Sequence, residues 1–552
     1  MVDDLDDPYI AAQRRAARNK AIGAALVVLV VALGILWTLG QKQAARDAVV
    51  ADTEAMISDG SYEGLTEASR TVGREASADE LAPPTLHLQG VKADLALWAL
   101  YSGASSVTGK AAELLDIARV RGPDEPATHF AEALWEAVVG DPNQALTLLQ
   151  STGDTPTWNA IAKAEAQVRS GDLDGARATL GACEVGVCRA WSARIAMDVG
   201  DWEAAKALGD ALVASKPDHM LGRTAQVLAS ARALAPDLRV ERLQAYMEEA
   251  RLPPMLQARV VVDLSRALRV TEGPKRADAL LEGAIGQSPD SAILANEAAR
   301  TARFQGSFGA AWTRVDKALR NSPADPGLLT ELAAALYFND AAALLEDRLE
   351  PAEARGSAGD GVTRGRAVAA LIHGLYDRAI EGLQATRHLG EPGDTELFLA
   401  EAYSRKGEWA KAAEAARDAH AKLAGTYGAE SREAAIAKMY EGLAVGLGGD
   451  EDAASELLSA AYGKDTRTVW GAWIYGRYHE GREKYADAKD AYLLACHNGQ
   501  DFALACLDLA NVYDSLTMDD LMRRTQTEAR RSYLRQSPKG RHAAAVKAAL
   551  GE

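Results

Sequence analysis

Little in this sequence is suited to chemistry. The nine histidines are scattered. No His-Glu-x-x-His pair, phosphate-binding glycine loop or alternating strand pattern is present to support a metalloenzyme or a nucleotide fold. Cys496 and His497 are neighbours, but adjacent helical residues point about 100° apart, which argues against a nucleophile and its base. Acidic runs such as Asp450-Glu451-Asp452 read more simply as helix N-terminal charges that offset the dipole. No enzyme, cofactor or metal site is expected. Positive charge is also short, with 61 basic against 78 acidic residues and a net charge of −17. That balance argues against general nucleic-acid binding, which needs a concentrated positive face to neutralise phosphates. Aromatic residues make up only 6%, and alanine is abundant, which suits thin helices packed at short range.

One long apolar run is present. Ala21 to Leu39 carries no charge, and a helix of about 19 residues rises roughly 28 Å, close to the hydrocarbon thickness of a bilayer. A cleavable signal peptide is the competing reading, but its apolar region is shorter, about 7–15 residues. No small-x-small site follows Trp37, and no cysteine near its end points to a lipoprotein. Residues 21–40 are therefore expected to be an uncleaved signal anchor. After the acidic cluster Asp3, Asp4, Asp6 and Asp7, four basic residues (Arg14, Arg15, Arg18, Lys20) precede the run, while only Lys42 and Arg46 closely follow it. The positive-inside rule then places the tail 1–20 in the cytoplasm and everything after Gly40 outside.

Beyond the run, one helical hairpin is written twice in the same register. Ala277, Leu281, Ala284 and Pro289 are matched, each at the same spacing, by Ala311, Val315, Ala318 and Pro323. The second copy carries Ala299 and Ala302 in its first helix, Gly306 at the turn and Phe308 two positions on. This unit resembles the tetratricopeptide repeat, whose period of about 34 residues is the spacing between the two copies. The resemblance implies an all-α fold, an α-solenoid of helical hairpins preceded by one transmembrane helix. The alanine that marks each second helix recurs at Ala145, Ala176, Ala205, Ala277, Ala311, Ala379, Ala412, Ala454 and Ala488. Two gaps in that series, from Ala205 to Ala277 and from Ala311 to Ala379, are near twice the period, so a weak unit is expected around 220–251 and another around 328–349. Turn glycines at Gly140, Gly171, Gly200, Gly374 and Gly407 keep the same register. The expected organisation is degenerate leading repeats or a cap over 41–122, a first solenoid part over 123–355, a glycine-rich loop or hinge over 356–365, a second part over 366–516 and capping helices over 517–552.

The four cysteines form two local pairs, Cys183 with Cys188 and Cys496 with Cys506, each spanning the junction between one unit and the next. The segment around the later pair resembles short-repeat relatives of the family that carry one disulfide per hairpin junction, and even pairing outside the cytoplasm favours disulfides. Buried free thiols are the alternative. A four-sulfur zinc site would have to bring the pairs together across about 300 residues of solenoid, and neither pair has the spacing of a zinc knuckle.

In the tetratricopeptide family the first helices line a concave groove. Carried over by position, the groove residues are Arg259, Arg266 and Arg269 in one unit and Asn296, Arg300, Arg303 and Phe304 in the next, with Arg194 earlier and Arg364 later. Such arginines either pair bidentately with carboxylates of a partner protein or cross-link neighbouring helices to the abundant Asp and Glu. The family's clamp of paired Lys and Asn is not reproduced. Trp470, Trp473, Tyr475 and Tyr478 form a second groove candidate, half of which must be core on an amphipathic helix. These features together suggest a scaffold or assembly factor anchored in a bacterial inner membrane, its solenoid periplasmic, binding protein partners through the groove and lipid through 21–40. A periplasmic chaperone with an apolar groove and a cytoplasmic-facing adaptor are the rivals.

Overall fold

The structure, a computed structural model, describes residues 8–78, 82–103, 105–152, 154–170, 172–320, 325–354, 360–387, 393–462, 468–499, 501–516 and 519–552. The acidic cluster at Asp3–Asp7, Gly171, Pro323, 356–359 and Thr517 lie outside them. Among the described residues there are twenty-nine α-helices, one π-turn at Trp98–Ser102 and no strand. The chain is an all-α solenoid of tetratricopeptide-like hairpins.

Local chemistry starts and stops the helices. Pro84, Pro126, Pro156, Pro254 and Pro326 open helices at the first turn, where the missing N–H costs nothing. Asp141, Asp201, Ser291 and Ser431 cap others by accepting a backbone N–H, and Asp325 caps the helix that Pro326 opens in the same way. Gly306 takes φ +80° at its turn, and a Cβ there would collide with Val469. This position therefore needs glycine twice over, for its left-handed backbone and for the helix laid against it.

All nine marker alanines are fully buried. The two weak units exist as the pairs Met220–Arg232 with Pro236–Glu249 and Pro326–Phe338 with Ala342–Ala354. Leu243 lies one repeat period before Ala277, and Leu345 lies one period from both Ala311 and Ala379. Both leucines are fully buried, so leucine fills the alanine position and hides the unit from an alanine count.

The apolar run continues past Gly40 without a break, since Pro8–Ser58 is one helix of 51 residues. It is long and apolar enough to cross a membrane, its side chains from Leu26 to Leu39 are exposed, and near its far end Thr53 and Ile57 are buried in the solenoid. Within the segment expected as a hinge, Asp360–Ile372 is helical. Gly361 lies against Pro326 and Gly365 against Leu349, so these glycines permit close helix packing rather than bending. The apolar core divides elsewhere. One large cluster runs from Ile57 to Ala277 and another from Ala295 to Val546, with a small one around Ala258, Val261, Leu281 and Ala298 between them.

Each half curls on itself. In the first, the Tyr101 hydroxyl donates to the Gly60 carbonyl at 2.7 Å, and Lys216 Nζ reaches Ser61 Oγ at 2.8 Å and Asp59 at 3.1 Å. In the second, Phe308 and Phe338 stack at 4.2 Å and meet Trp470 and Phe502 from several units further along the chain, with Phe338–Trp470 at 4.7 Å. The closing helices Asp520–Gln536 and Ala543–Leu550 dock on the middle of the array. Tyr533 donates to Asp340 Oδ2 at 2.6 Å, and Arg541 donates to the Ile372 carbonyl at 2.5 Å.

Candidate functional site

The first helices of successive units turn their arginines inward, as the repeat register requires, and carboxylates of the same chain meet them. Arg266 donates to Glu297 at 2.7 and 3.2 Å. Arg269 donates to Glu433 at 2.7 Å and also to Thr301. Arg300 makes a two-pronged pair with Asp394 at 2.9 and 3.2 Å. Arg303 does the same with Glu331 at 3.0 and 2.7 Å, and lies 3.2 Å from Asp394 as well. Arg194 pairs with Glu165 and Asp198, and Arg259 reaches Asp198 at 2.5 Å. Arg364 is buried and donates to the Thr386 carbonyl at 3.1 Å. Asn296 is half-buried beside Gly327. Phe304 is core, 5.4 Å from Trp470, with the Arg303 guanidinium 4.6 Å from its ring centroid.

These arginines therefore sit where the register placed them, but they face other parts of the chain rather than open solvent. Asp394, Tyr427 and Glu433, from the helices Asp394–Lys406, Trp409–Tyr427 and Arg432–Leu447, stand against Arg266, Arg269, Arg300 and Arg303. Tyr427 is buried among the guanidiniums, its ring centroid 4.6 Å from Arg300 Cζ and 5.6 Å from Arg266 Cζ. The arrangement is that of internal cross-links. Trp470, Trp473 and Tyr478 are core, and Tyr475 alone of the four is only half-buried.

Burial and charge compete in this interior. Burial alone would raise the Glu297 carboxyl, but Arg266 and Arg269 outweigh it and hold the group below its ordinary value. Burial likewise opposes ionisation of Asp394, and Arg300 and Arg303 overcome it, bringing Asp394 down to about 2. Desolvation dominates at Arg364, which falls to about 10 despite the nearby Asp394, Glu396 and Glu331. A second buried knot lies further on. Glu401 accepts from Tyr337 at 2.5 Å, from Arg405 at 2.7 Å and from Arg477 at 2.5 Å. Burial raises its carboxyl, Arg477 and Arg405 more than compensate, and it is held at about 2.

The acidic partners of the ladder carry a signal of their own. Asp263, Glu297 and Glu331 follow one another at exact repeat spacing, as do Arg232, Arg266 and Arg300. Arg232 and Arg239 both reach Asp263 at 2.5 Å, the counterpart of the Arg266–Glu297 pair one unit later. Arginine and carboxylate recurring with one period is the mark of inter-repeat pairing, and it distinguishes cross-links from a one-signed binding strip.

Cys183 and Cys188 lie at a bonded S–S distance of 2.07 Å, and Cys496 and Cys506 at 2.06 Å. The first pair belongs to the first core and the second to the second, so the four sulfurs do not gather at one site.

No known protein-family model matches this chain, and no curated protein matches it. Among solved structures it is similar to the crystal structure of the APC/C hetero-tetramer Cut9–Hcn1, at 15% identity and a TM-score of 0.34, with 83% of this chain and 96% of that chain covered.

Proposed function

We propose that this protein is a membrane-anchored scaffold or assembly factor of the bacterial cell envelope, with its solenoid in the periplasm and its amino-terminal tail in the cytoplasm. The observation that carries the reading is the unbroken helix Pro8–Ser58. Its exposed apolar stretch leads without a flexible linker into buried positions at Thr53 and Ile57. From Gly40 to Thr53 the rise is about 20 Å, so the solenoid would be held close to the membrane surface in a defined attitude. The two bonded cysteine pairs support an oxidising compartment, and the excess of basic residues before the apolar stretch supports the orientation.

Binding of protein partners is the role that tetratricopeptide-like arrays generally serve. In this reading the arginines of the concave side hold the curl together, and partners meet the outer and rim surfaces. The filled interior disfavours a chaperone that receives unfolded clients in an apolar groove. The test is thiol accessibility in intact cells to a membrane-impermeant reagent, with and without reduction, together with protease protection of the carboxyl terminus. Thiols that appear only after reduction, on a chain cleaved once the outer membrane is permeabilised, support the periplasmic scaffold. Free thiols on a protected chain would refute it and favour a cytoplasmic adaptor.

A further inference from the structure

Over 517–552 the sequence has eight basic residues against four acidic ones, in a chain whose net charge is −17. Helix Asp520–Gln536 carries most of that excess, and burial fixes its inner face, with Gln526, Ala529 and Tyr533 turned into the array. The opposite face presents Leu521, Arg524 and Arg531, all exposed. Arg524 and Arg531 are seven residues apart, which on an α-helix is two turns, about 10 Å, on nearly the same side. Leu521 lies one turn before Arg524 and is 71% exposed. Glu528, the acid between the two arginines, is already held by Arg535 at 2.8 Å. Among the described residues, the guanidiniums of Arg523, Arg524 and Arg531 form no hydrogen bond or ion pair.

Exposed arginines elsewhere on the solenoid are matched by the chain itself, as Arg177 by Asp201, Arg348 by Asp316 and Arg387 by Asp418. Arg523 and Arg524 also lie near the amino-terminal end of their helix, where the dipole disfavours cations. Neither internal pairing nor helix stability accounts for them, and charge complementarity with the leucine beside them defines what would. We infer that this face docks an acidic segment of a partner protein, with carboxylates about 10 Å apart on Arg524 and Arg531 and an apolar side chain on Leu521. The planar fork of arginine takes a carboxylate bidentately. The face belongs to the second core, whereas the apolar amino-terminal helix packs into the first, and the chain as a whole is acidic. Both facts favour a protein segment over a lipid surface or a nucleic acid. The inference deepens the protein-binding reading above and does not depend on which side of the membrane the solenoid occupies.

The test is fluorescence polarisation of a fluorescein-labelled peptide of repeated Glu-Glu-Leu units, titrated with the full-length protein in phosphatidylcholine nanodiscs. Saturable binding is expected, weakened at least about tenfold by Arg524→Glu combined with Arg531→Glu and about fivefold by Leu521→Ser. The same charge reversal at two exposed residues elsewhere, Lys163→Glu with Lys275→Glu, should leave binding unchanged. Every substituted residue is exposed, so circular dichroism spectra and melting temperatures should match the wild type. Absence of binding would overturn the proposal, as would an equal loss in both double variants or equally tight binding of a Lys-Lys-Leu peptide. Displacement of the peptide by soluble dihexanoyl-phosphatidylglycerol, where dihexanoyl-phosphatidylcholine has no effect, would assign the face to anionic lipid and also overturn it. None of these outcomes bears on thiol accessibility in cells, so a failure of this face and a failure of the periplasmic reading are distinguishable.

Discussion

Replacing Asp394 with Asn removes one charge from a deeply enclosed ion cluster without changing its shape. Asp394 opens helix Asp394–Lys406 and accepts two bonds from Arg300 and one contact from Arg303, all within 3.2 Å. The four groups Arg300, Arg303, Glu331 and Asp394 are almost entirely buried. Breaking a buried pair by deleting one partner costs about 3–5 kcal/mol, because the remaining charge is stranded in a medium that solvates it poorly. Arg303 keeps both bonds to Glu331, and the Asn oxygen retains one acceptor, so the loss belongs at the lower end, about 3 kcal/mol. The depression of Asp394 from 3.8 to about 2 corresponds to roughly 2 kcal/mol at about 1.36 per unit, the same order. Adding Arg300→Met removes the stranded charge, and the double variant should recover at least about 1 kcal/mol relative to additivity. The assay is urea unfolding followed by far-ultraviolet circular dichroism, with the midpoint shift of the transition that reports the second core multiplied by its slope. A loss below about 1 kcal/mol for Asp394→Asn, or strict additivity in the double variant, would refute the view that these arginines are structural cross-links.

Three further outcomes follow from the same geometry. Asp394 and Glu401 both have folded values near 2, below their ordinary 3.8 and 4.5. Their contribution is therefore complete above about pH 4.5 and is lost as pH falls through about 2. Near-ultraviolet circular dichroism of the second core should persist at about pH 3, and a transition centred near pH 4 would contradict the pairing. Leu345→Ala, in the unit where leucine stands in for alanine, should cost about 2–5 kcal/mol as a cavity, whereas an exposed site would show almost nothing in the same urea assay. Cys496 and Cys506 are separated by 10 in sequence, and replacing both with Ser should cost about 2–3 kcal/mol by the loop-closure relation. That loss should vanish when wild type and variant are compared in reductant, and an unchanged difference would point to packing rather than a bond.

The helical class, the repeat register and the apolar stretch were legible because each is a local property. Ala311 and Ala277 announce their helices through spacing alone, and the uncharged run from Ala21 to Leu39 needs no tertiary context. Less legible were units whose marker had changed identity, as at Leu243 and Leu345, since burial rather than residue type is what the position demands. Gly40 does not break the long helix Pro8–Ser58, because one glycine is a small cost that the flanking helix formers carry. The glycines at 361 and 365 looked like a hinge until close neighbours at Pro326 and Leu349 gave them a packing role.

By itself the sequence determined which residues of each hairpin point inward, because a fixed repeat period wound on a helix of fixed pitch leaves no freedom in that choice. It placed Arg266, Arg269, Arg300 and Arg303 on the concave side, and it held in plain view the equally periodic acids Asp263, Glu297 and Glu331. Only the tertiary structure decided what stands opposite. Asp394 meets Arg300 across 94 residues, and Glu433 meets Arg269 across 164. Those encounters depend on how small rotations between neighbouring repeats accumulate around the superhelix. No single hairpin encodes that sum, so whether the concave side would be an open groove or a filled interior was settled only when the array closed on itself.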